Sequence, residues 1–262
     1  MSYTVAEVVS ALDALFPPSK AEEWDRVGLI AGAPEDEIKK VHFAVDPCEA
    51  SLAEALENGA DMLITHHPLY LRGTSSVAAT NAKGSWVTRA VRGHLALFAA
   101  HTNADVVAST RALADLVGLH IERSLDEESG IGGVGELRQP MRFADLVELF
   151  ARRLPRTPAG VLGSGDPERA IRRLAICSGS GDSLLQAANE SGADAYFTAD
   201  LRHHPATDHV WDGGCALICA THWASEWPLL KIMEAELLAR LPELETYVST
   251  AVTDAWNLAY RG

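Results

Sequence analysis

Five side chains in this 262-residue sequence have the chemistry of metal ligands: His66, His67, Asp105, His222 and Glu226. They fall in three clusters, and each cluster follows a short apolar run. His66-His67 follows Met62-Leu63-Ile64-Thr65, His101 to Asp105 follows Leu95 to Ala100, and His222 to Glu226 follows Cys215 to Ala220 and Thr221. Imidazole with carboxylate suits zinc, manganese or iron, and the absence of cysteine from the clusters argues against a closed structural zinc site. Adjacent residues at a strand end point in diverging directions, so His66 and His67 suit single ligation of two neighbouring ions better than joint ligation of one. A carboxylate has two oxygens and can bridge ions about 4 Å apart. Taken alone, each cluster is a weak signal, more often surface or internally satisfied histidine than a metal site. Their recurrence at three strand ends is what points to a pair of divalent ions. His101 and Asp105 are also the candidate general bases for such a site.

His222 and Glu226 are four apart, which on a helix would place them on one face. Pro228 opposes a helix that already includes His222, because proline is poorly tolerated beyond the first turn. The expected arrangement is therefore Ser225 as N-cap, Glu226 in the first turn and His222 in the preceding loop.

The elements that position these residues can be read from periodicity. Thr4 with Glu7 forms a capping box, and Val5, Val8, Val9, Leu12 and Leu15 carry a helix as far as Pro17-Pro18. Apolar runs at 41–45, 62–65, 95–100, 174–177, 195–198, 215–220 and 247–252 read as strands. Helices are expected at 48–58, 84–93, 106–117, 143–154, 182–191 and 227–241. This alternation predicts an α/β fold of two α/β domains with largely parallel sheets, the metal site lying at strand carboxyl ends between them. Gly130, Gly132, Gly133 and Gly135 mark an expected boundary within 124–140. The domains are then 1–125 and 126–262, the last helix and strand being free to pack on the first. Residues 155–167 read as a Pro/Gly-rich loop.

Other residues carry weaker signals. Ser178-Gly179-Ser180-Gly181, after a strand, is either an anion cradle or a tight turn. Asp25, Asp46, Asp200 and His204 are candidates for the surroundings of the ligands, against structural or surface roles. Arg72 and Lys83 could meet a phosphate or simply be solvated. Trp223 and Trp227 could stack a base or pack the core.

Composition narrows the partners. A formal charge of -14 repels phosphate backbones and counts against nucleic acid. Cys48, Cys177, Cys215 and Cys219 contain no C-x-x-C pair and read as buried, reduced thiols rather than a thiolate site. Free thiols, an acid-bearing N-terminal helix unlike a secretory signal, and no apolar run near the roughly 20 residues that span a bilayer make the cytoplasm the expected location.

With these segments in hand, the sequence resembles the NIF-three-like dinuclear-metal proteins, also described as GTP cyclohydrolase I type-two homologues. The resemblance rests on Trp24-Asp25 with Gly28-Leu29, Ile64 to Leu69, His101 to Asp105, Ser178 to Gly181, Thr198-Ala199-Asp200 with His204, and Thr221 to Glu226, in order along nearly the whole chain. It implies one ion on His67, Asp105 and Glu226 and a second on His66, His222 and Glu226, with Glu226 bridging and His101 close by. It also implies a toroidal homohexamer. Two departures are Arg26, where the family has Asn, and Trp223, where it has Tyr. The domain inserted in longer relatives is missing here.

The function expected from these readings is that of a metal-dependent hydrolase acting on a small, nucleotide-like molecule. Opening of the GTP imidazole ring is the reaction implied by the family label, and phosphoester hydrolysis is an equal chemical use. The alternatives are a non-enzymatic metal-binding scaffold or regulator for a protein or single-stranded nucleic acid, and a purely structural metal site.

Overall fold

The computed structural model describes residues 2–260, which form two compact units. Among the described residues, one comprises 2–104 with 230–253, and the other 105–229 with 254–260.

The first unit begins with the expected capping box. Strand β1 (Tyr3–Thr4) runs into helix α1 (Val5–Leu15), where Thr4 Oγ1 accepts from the Glu7 amide (3.2 Å) and Glu7 Oε2 accepts from the Thr4 amide (2.7 Å). Strands β2 (Gly28–Ala31) and β3 (Glu37–Ile38) follow, β3 pairing with β1. Then come β4 (Lys40–Ala44), α2 (Glu49–Glu57), β5 (Met62–Thr65), α3 (Ala82–Arg92), β6 (Ala96–Ala99) and the short turn α4 (Thr102–Ala104). The last strand, β13 (Glu245–Val248), joins the same sheet, whose order is β13-β4-β5-β6-β2. All its pairings are parallel except β2 with β6. Every residue of β5 and β6 is buried, as continuous apolar runs are in a sheet covered on both faces. Registry sets Thr65 beside Ala44 on one side and Ala99 on the other, so the residues that follow β4, β5 and β6 emerge side by side.

The second unit opens with a π-helical turn at Asp105–Ser109 that leads into α5 (Thr110–Val117). It continues through β7 (Leu119–Arg123), β8 (Gly133–Arg142), α6 (Phe143–Arg153), β9 (Leu162–Ser164), β10 (Ala170–Ser180), α7 (Leu185–Glu190), β11 (Ala195–Ala199), α8 (His203–Trp211) and β12 (Ala216–Ala220). The sheet order is β7-β8-β10-β11-β12-β9, with β10, β11 and β12 parallel at its centre and antiparallel strands on either side. Phe150 stacks on Phe197 at 4.1 Å between ring centroids, which ties α6 to the central strand β11.

Three local readings change. The glycine-rich stretch near 133, which breaks the pattern of elements in the sequence, contains strand: Gly133 and Gly135 lie in β8. A Cβ on Gly135 would fall 1.8 Å from the His120 carbonyl oxygen, so that glycine allows β7 to pair closely. The presumed loop 155–167 contains the edge strand β9. Helix α9 (His222–Arg240) starts at His222, not at Glu226. The Ser225 amide bonds the Thr221 carbonyl (3.0 Å), and the Ser225 hydroxyl bonds the His222 carbonyl (2.8 Å). Pro228 sits inside this helix, where a proline costs about 3 kcal/mol. Leu229, Leu230, Met233 and Leu237 are all buried, at about 1.5–3 kcal/mol each, so burial outweighs the proline.

Candidate metal centre

In the first unit the ends of β5 and β6 bring His66, His67 and His101 together. Their ring centroids lie 5.1–5.4 Å apart, and one ring nitrogen of each lies within 4.8 Å of those of the other two. Each ring is held by its Nδ1. His66 Nδ1 donates to the Ala100 carbonyl (3.0 Å), His67 Nδ1 to Asp46 Oδ1 (2.7 Å) and His101 Nδ1 to Asp25 Oδ1 (2.9 Å). Assigned from this network, the proton belongs on Nδ1 and the ring lone pair on Nε2, the tautomer a metal ligand needs.

The acceptors are themselves fixed. Asp46 also accepts from the Thr253 hydroxyl. Asp25 is buried and accepts from the Thr102 amide (3.0 Å), the Thr102 hydroxyl and the Arg26 amide (2.7 Å). Burial disfavours the charged Asp25 carboxylate, but the bonds from His101 and Thr102 outweigh burial and hold its carboxyl well below the usual carboxylate range. Trp24, next in sequence to this anchor, meets the His101 ring edge to face at 5.9 Å and remains 54% exposed.

In the second unit Gly179 lies near the end of β10, Asp200 directly follows β11, and His222 comes two residues after β12. His222 Nδ1 donates to Asp200 Oδ2 (2.6 Å), and His222 Nε2 lies 2.9 Å from Glu226 Oε1, one helical turn on. With the proton on Nδ1, two lone-pair-bearing atoms face each other across 2.9 Å and require a positive species between them, a proton or a metal ion. Gly179, at φ +62°, packs onto this pair, and a Cβ there would stand 2.4 Å from Glu226 Oε1. Its amide donates to the Ser225 hydroxyl (2.8 Å) and its carbonyl accepts from the Thr198 hydroxyl (3.1 Å). The Ser178–Gly181 segment is thus a close-packed strand end, not an anion cradle. Asp105, at the start of the π turn, accepts from the Ser109 hydroxyl (2.6 Å) and, at 3.4 Å, from Ser178. A π turn inside a helix often marks a functional position.

The remaining candidates separate plainly. Trp223 is 4% exposed and packs in the interior. Lys83 donates to the Leu69 carbonyl and lies over Tyr70, while Arg72 is exposed. His204 is exposed in the first turn of α8, against His203. The buried thiols of Cys177 and Cys215 are pushed up to about 12 and about 11, chiefly by burial, which keeps them protonated. Residues 25 and 101, or 200 and 222, are linked by no sequence spacing, which is why their pairing emerges only in the fold.

The fold and these side chains define a class: a two-unit α/β protein with histidine and glutamate groups able to hold a metal ion. Within that class the chain belongs to the Duf34/NIF3 (NGG1p interacting factor 3) family, whose model matches residues 3–255. It is 43% identical to a GTP cyclohydrolase 1 type 2 homolog of Streptomyces coelicolor, over 97% of this chain and 93% of that protein. Among solved structures it resembles a Bacillus cereus protein related to NIF3 (TM-score 0.89, 18% identity, 98% of this chain and 99% of that chain). It also resembles a hypothetical protein of Staphylococcus aureus (TM-score 0.85, 26% identity, 98% and 99%). No helix among the described residues is long and apolar enough to cross a membrane.

Proposed function

We propose that this protein is a hydrolase that uses a pair of divalent metal ions and acts on a nucleotide-like small molecule. The observation that carries the reading is the recurrence of one device: four histidines, each with Nδ1 tied to a carboxylate or carbonyl, so that Nε2 carries the lone pair. Such backing orients an imidazole and raises its basicity toward a metal ion. The donors are nitrogen and oxygen, which suits zinc, manganese or iron. In this reading His67, Asp105 and Glu226 hold one ion, and His66, His222 and Glu226 hold the other. The ions supply Lewis acidity, polarising a substrate oxygen and making water acidic enough to react near neutral pH.

The chain's own residues do the rest. His101 takes a proton from water at Nε2, and Asp25, already bonded to Nδ1, stabilises the imidazolium that forms. Asp105 is positioned by the hydroxyls of Ser109 and Ser178. Trp24, mostly open and seated against His101, offers an aromatic surface to a planar ring of the substrate. The name of the Streptomyces coelicolor relative, GTP cyclohydrolase 1 type 2 homolog, favours a purine nucleotide over a simple phosphoester. A homohexamer and a cytoplasmic setting are further parts of this proposal.

The test is elemental analysis of the purified protein beside Glu226→Ala, followed by turnover of GTP and a nucleotide panel by the metal-loaded parent. About two ions per chain in the parent, a trace in the variant, and metal-dependent hydrolysis are expected. A parent that loads metal yet hydrolyses nothing in the panel would sink the hydrolase reading.

A further inference from the structure

Asp200 has an unusual backbone. Among the described residues only His94 and Asp200 are non-glycine residues at positive φ, both at +53°. In this left-handed region an L side chain crowds its own backbone, and glycine is the residue without that cost. His94 lies in the turn after α3. Asp200 follows β11 directly, where Ala199 pairs with Ala220 of the parallel strand β12. From that position its carboxylate reaches His222 Nδ1 at 2.6 Å. Its side chain is half exposed, so burial does not account for it.

We propose that Asp200 is a positioning residue for metal binding. Its left-handed backbone is kept because it carries a carboxylate that fixes the His222 tautomer and aims Nε2 at Glu226. A carboxylate on Nδ1 holds the proton there, keeps the lone pair on Nε2 and makes the ring a stronger donor. Asp46 and Asp25 do the same for His67 and His101 from unstrained backbones, so only at residue 200 does local backbone stability conflict with ligand placement. This inference rests on the metal-binding reading above.

The experiment compares Asp200→Ala, Asp200→Asn and Asp200→Gly with the parent. Zinc affinity is read by competition with a chromogenic chelator, thermal midpoints on metal-free protein, and the His222 tautomer by nitrogen-15 NMR of histidine-labelled metal-free protein. All three variants should bind zinc more weakly, by about 10- to 100-fold for Asp200→Ala and Asp200→Gly and by less for Asp200→Asn, which keeps an acceptor without the charge. Asp200→Gly should melt at or above the parental midpoint while binding as weakly as Asp200→Ala, because glycine relieves the backbone but cannot hold the ring. In both, His222 should lose its Nδ1-protonated signature. Parental zinc affinity in Asp200→Gly, or a lowered midpoint in that variant matching its loss of zinc, overturns the proposal and makes Asp200 structural. A parent that binds no zinc overturns the metal reading itself, whereas a zinc-binding parent with unaffected variants removes only the role of Asp200.

Discussion

Gly179 shows how narrow the choice is at single positions of this site. Its φ of +62° disfavours any L side chain, and the space a methyl group would need is taken by the Glu226 carboxylate. Gly179→Ala should therefore act twice. The backbone cost and displaced contacts should lower stability by about 1–3 kcal/mol, and Glu226 should be pushed off its line with His222. Thermal unfolding of the metal-free variant checks the first effect and bound metal after dialysis checks the second. Parental metal content in the variant would mean that Glu226 is not a ligand or has room to move. Histidine backing follows the same logic, since an imidazole is a useful ligand only if something decides which nitrogen keeps the proton.

At the scale of elements, strand order and registry place the chemistry. β4, β5 and β6 in one sheet, and β10, β11 and β12 in the other, are parallel neighbours, so the residues after each triplet emerge along one edge. Away from that edge, Glu54 of α2 ties three elements of the first unit. It accepts from His42 Nε2 of β4 (3.1 Å), the Tyr247 hydroxyl of β13 (3.1 Å) and the Ser249 hydroxyl. His42 is buried and stacks on Tyr247 at 4.9 Å. Burial lowers its pKa, Glu54 opposes that and Lys40 adds to it, the net direction being down. The unfolded chain then protonates first, at about pH 6.5, so the contribution of neutral His42 is fully present above that pH and lost as pH falls through the lower folded value. Metal-free parent should lose stability between pH 7 and 5 more steeply than His42→Gln, by at most about 1.4 kcal/mol per pH unit. Denaturant titrations at a series of pH values read this directly, and equal slopes would show that His42 carries no such linkage.

For the whole molecule, the chain passes between its two units after Ala104, within α9 after Leu229, and again after Thr253. His66, His67 and His101 belong to one unit, and Asp105, His222 and Glu226 to the other. A metal ion that binds the native protein and not the unfolded chain stabilises it by about 2.7 kcal/mol at a free concentration 100 times its Kd. Chelation should lower the thermal midpoint by several degrees, and re-addition of zinc, manganese or iron should restore it. Calorimetry with and without chelator checks this. Lost stability together with lost turnover fits the hydrolase proposal. Lost stability with turnover intact would return the site to a structural role, and an unchanged midpoint would argue that no ion binds.

How much of this could be read in advance depended on how far apart the interacting residues lie in the chain. The α/β class, the capping box at Thr4 and Glu7, the buried strands before His66 and His101, and the family resemblance were all legible, because hydrophobic period and short motifs are local properties of the chain. The helix start at His222 was not, because a local penalty at Pro228 was outweighed by burial of Leu229, Leu230, Met233 and Leu237, which belongs to tertiary packing. Nor was strand β8, because the glycines that read as a break between elements include Gly135, which lets β7 approach. The pairings Asp25–His101, Asp46–His67 and Asp200–His222 span 76, 21 and 22 positions, and no sequence period connects them. The sequence by itself determined which side chains have the chemistry of metal ligands and that His66, His67 and His101 follow apolar strands. The tertiary structure alone decided which acceptor holds each histidine's proton, because that depends on registry between strands far apart in the chain.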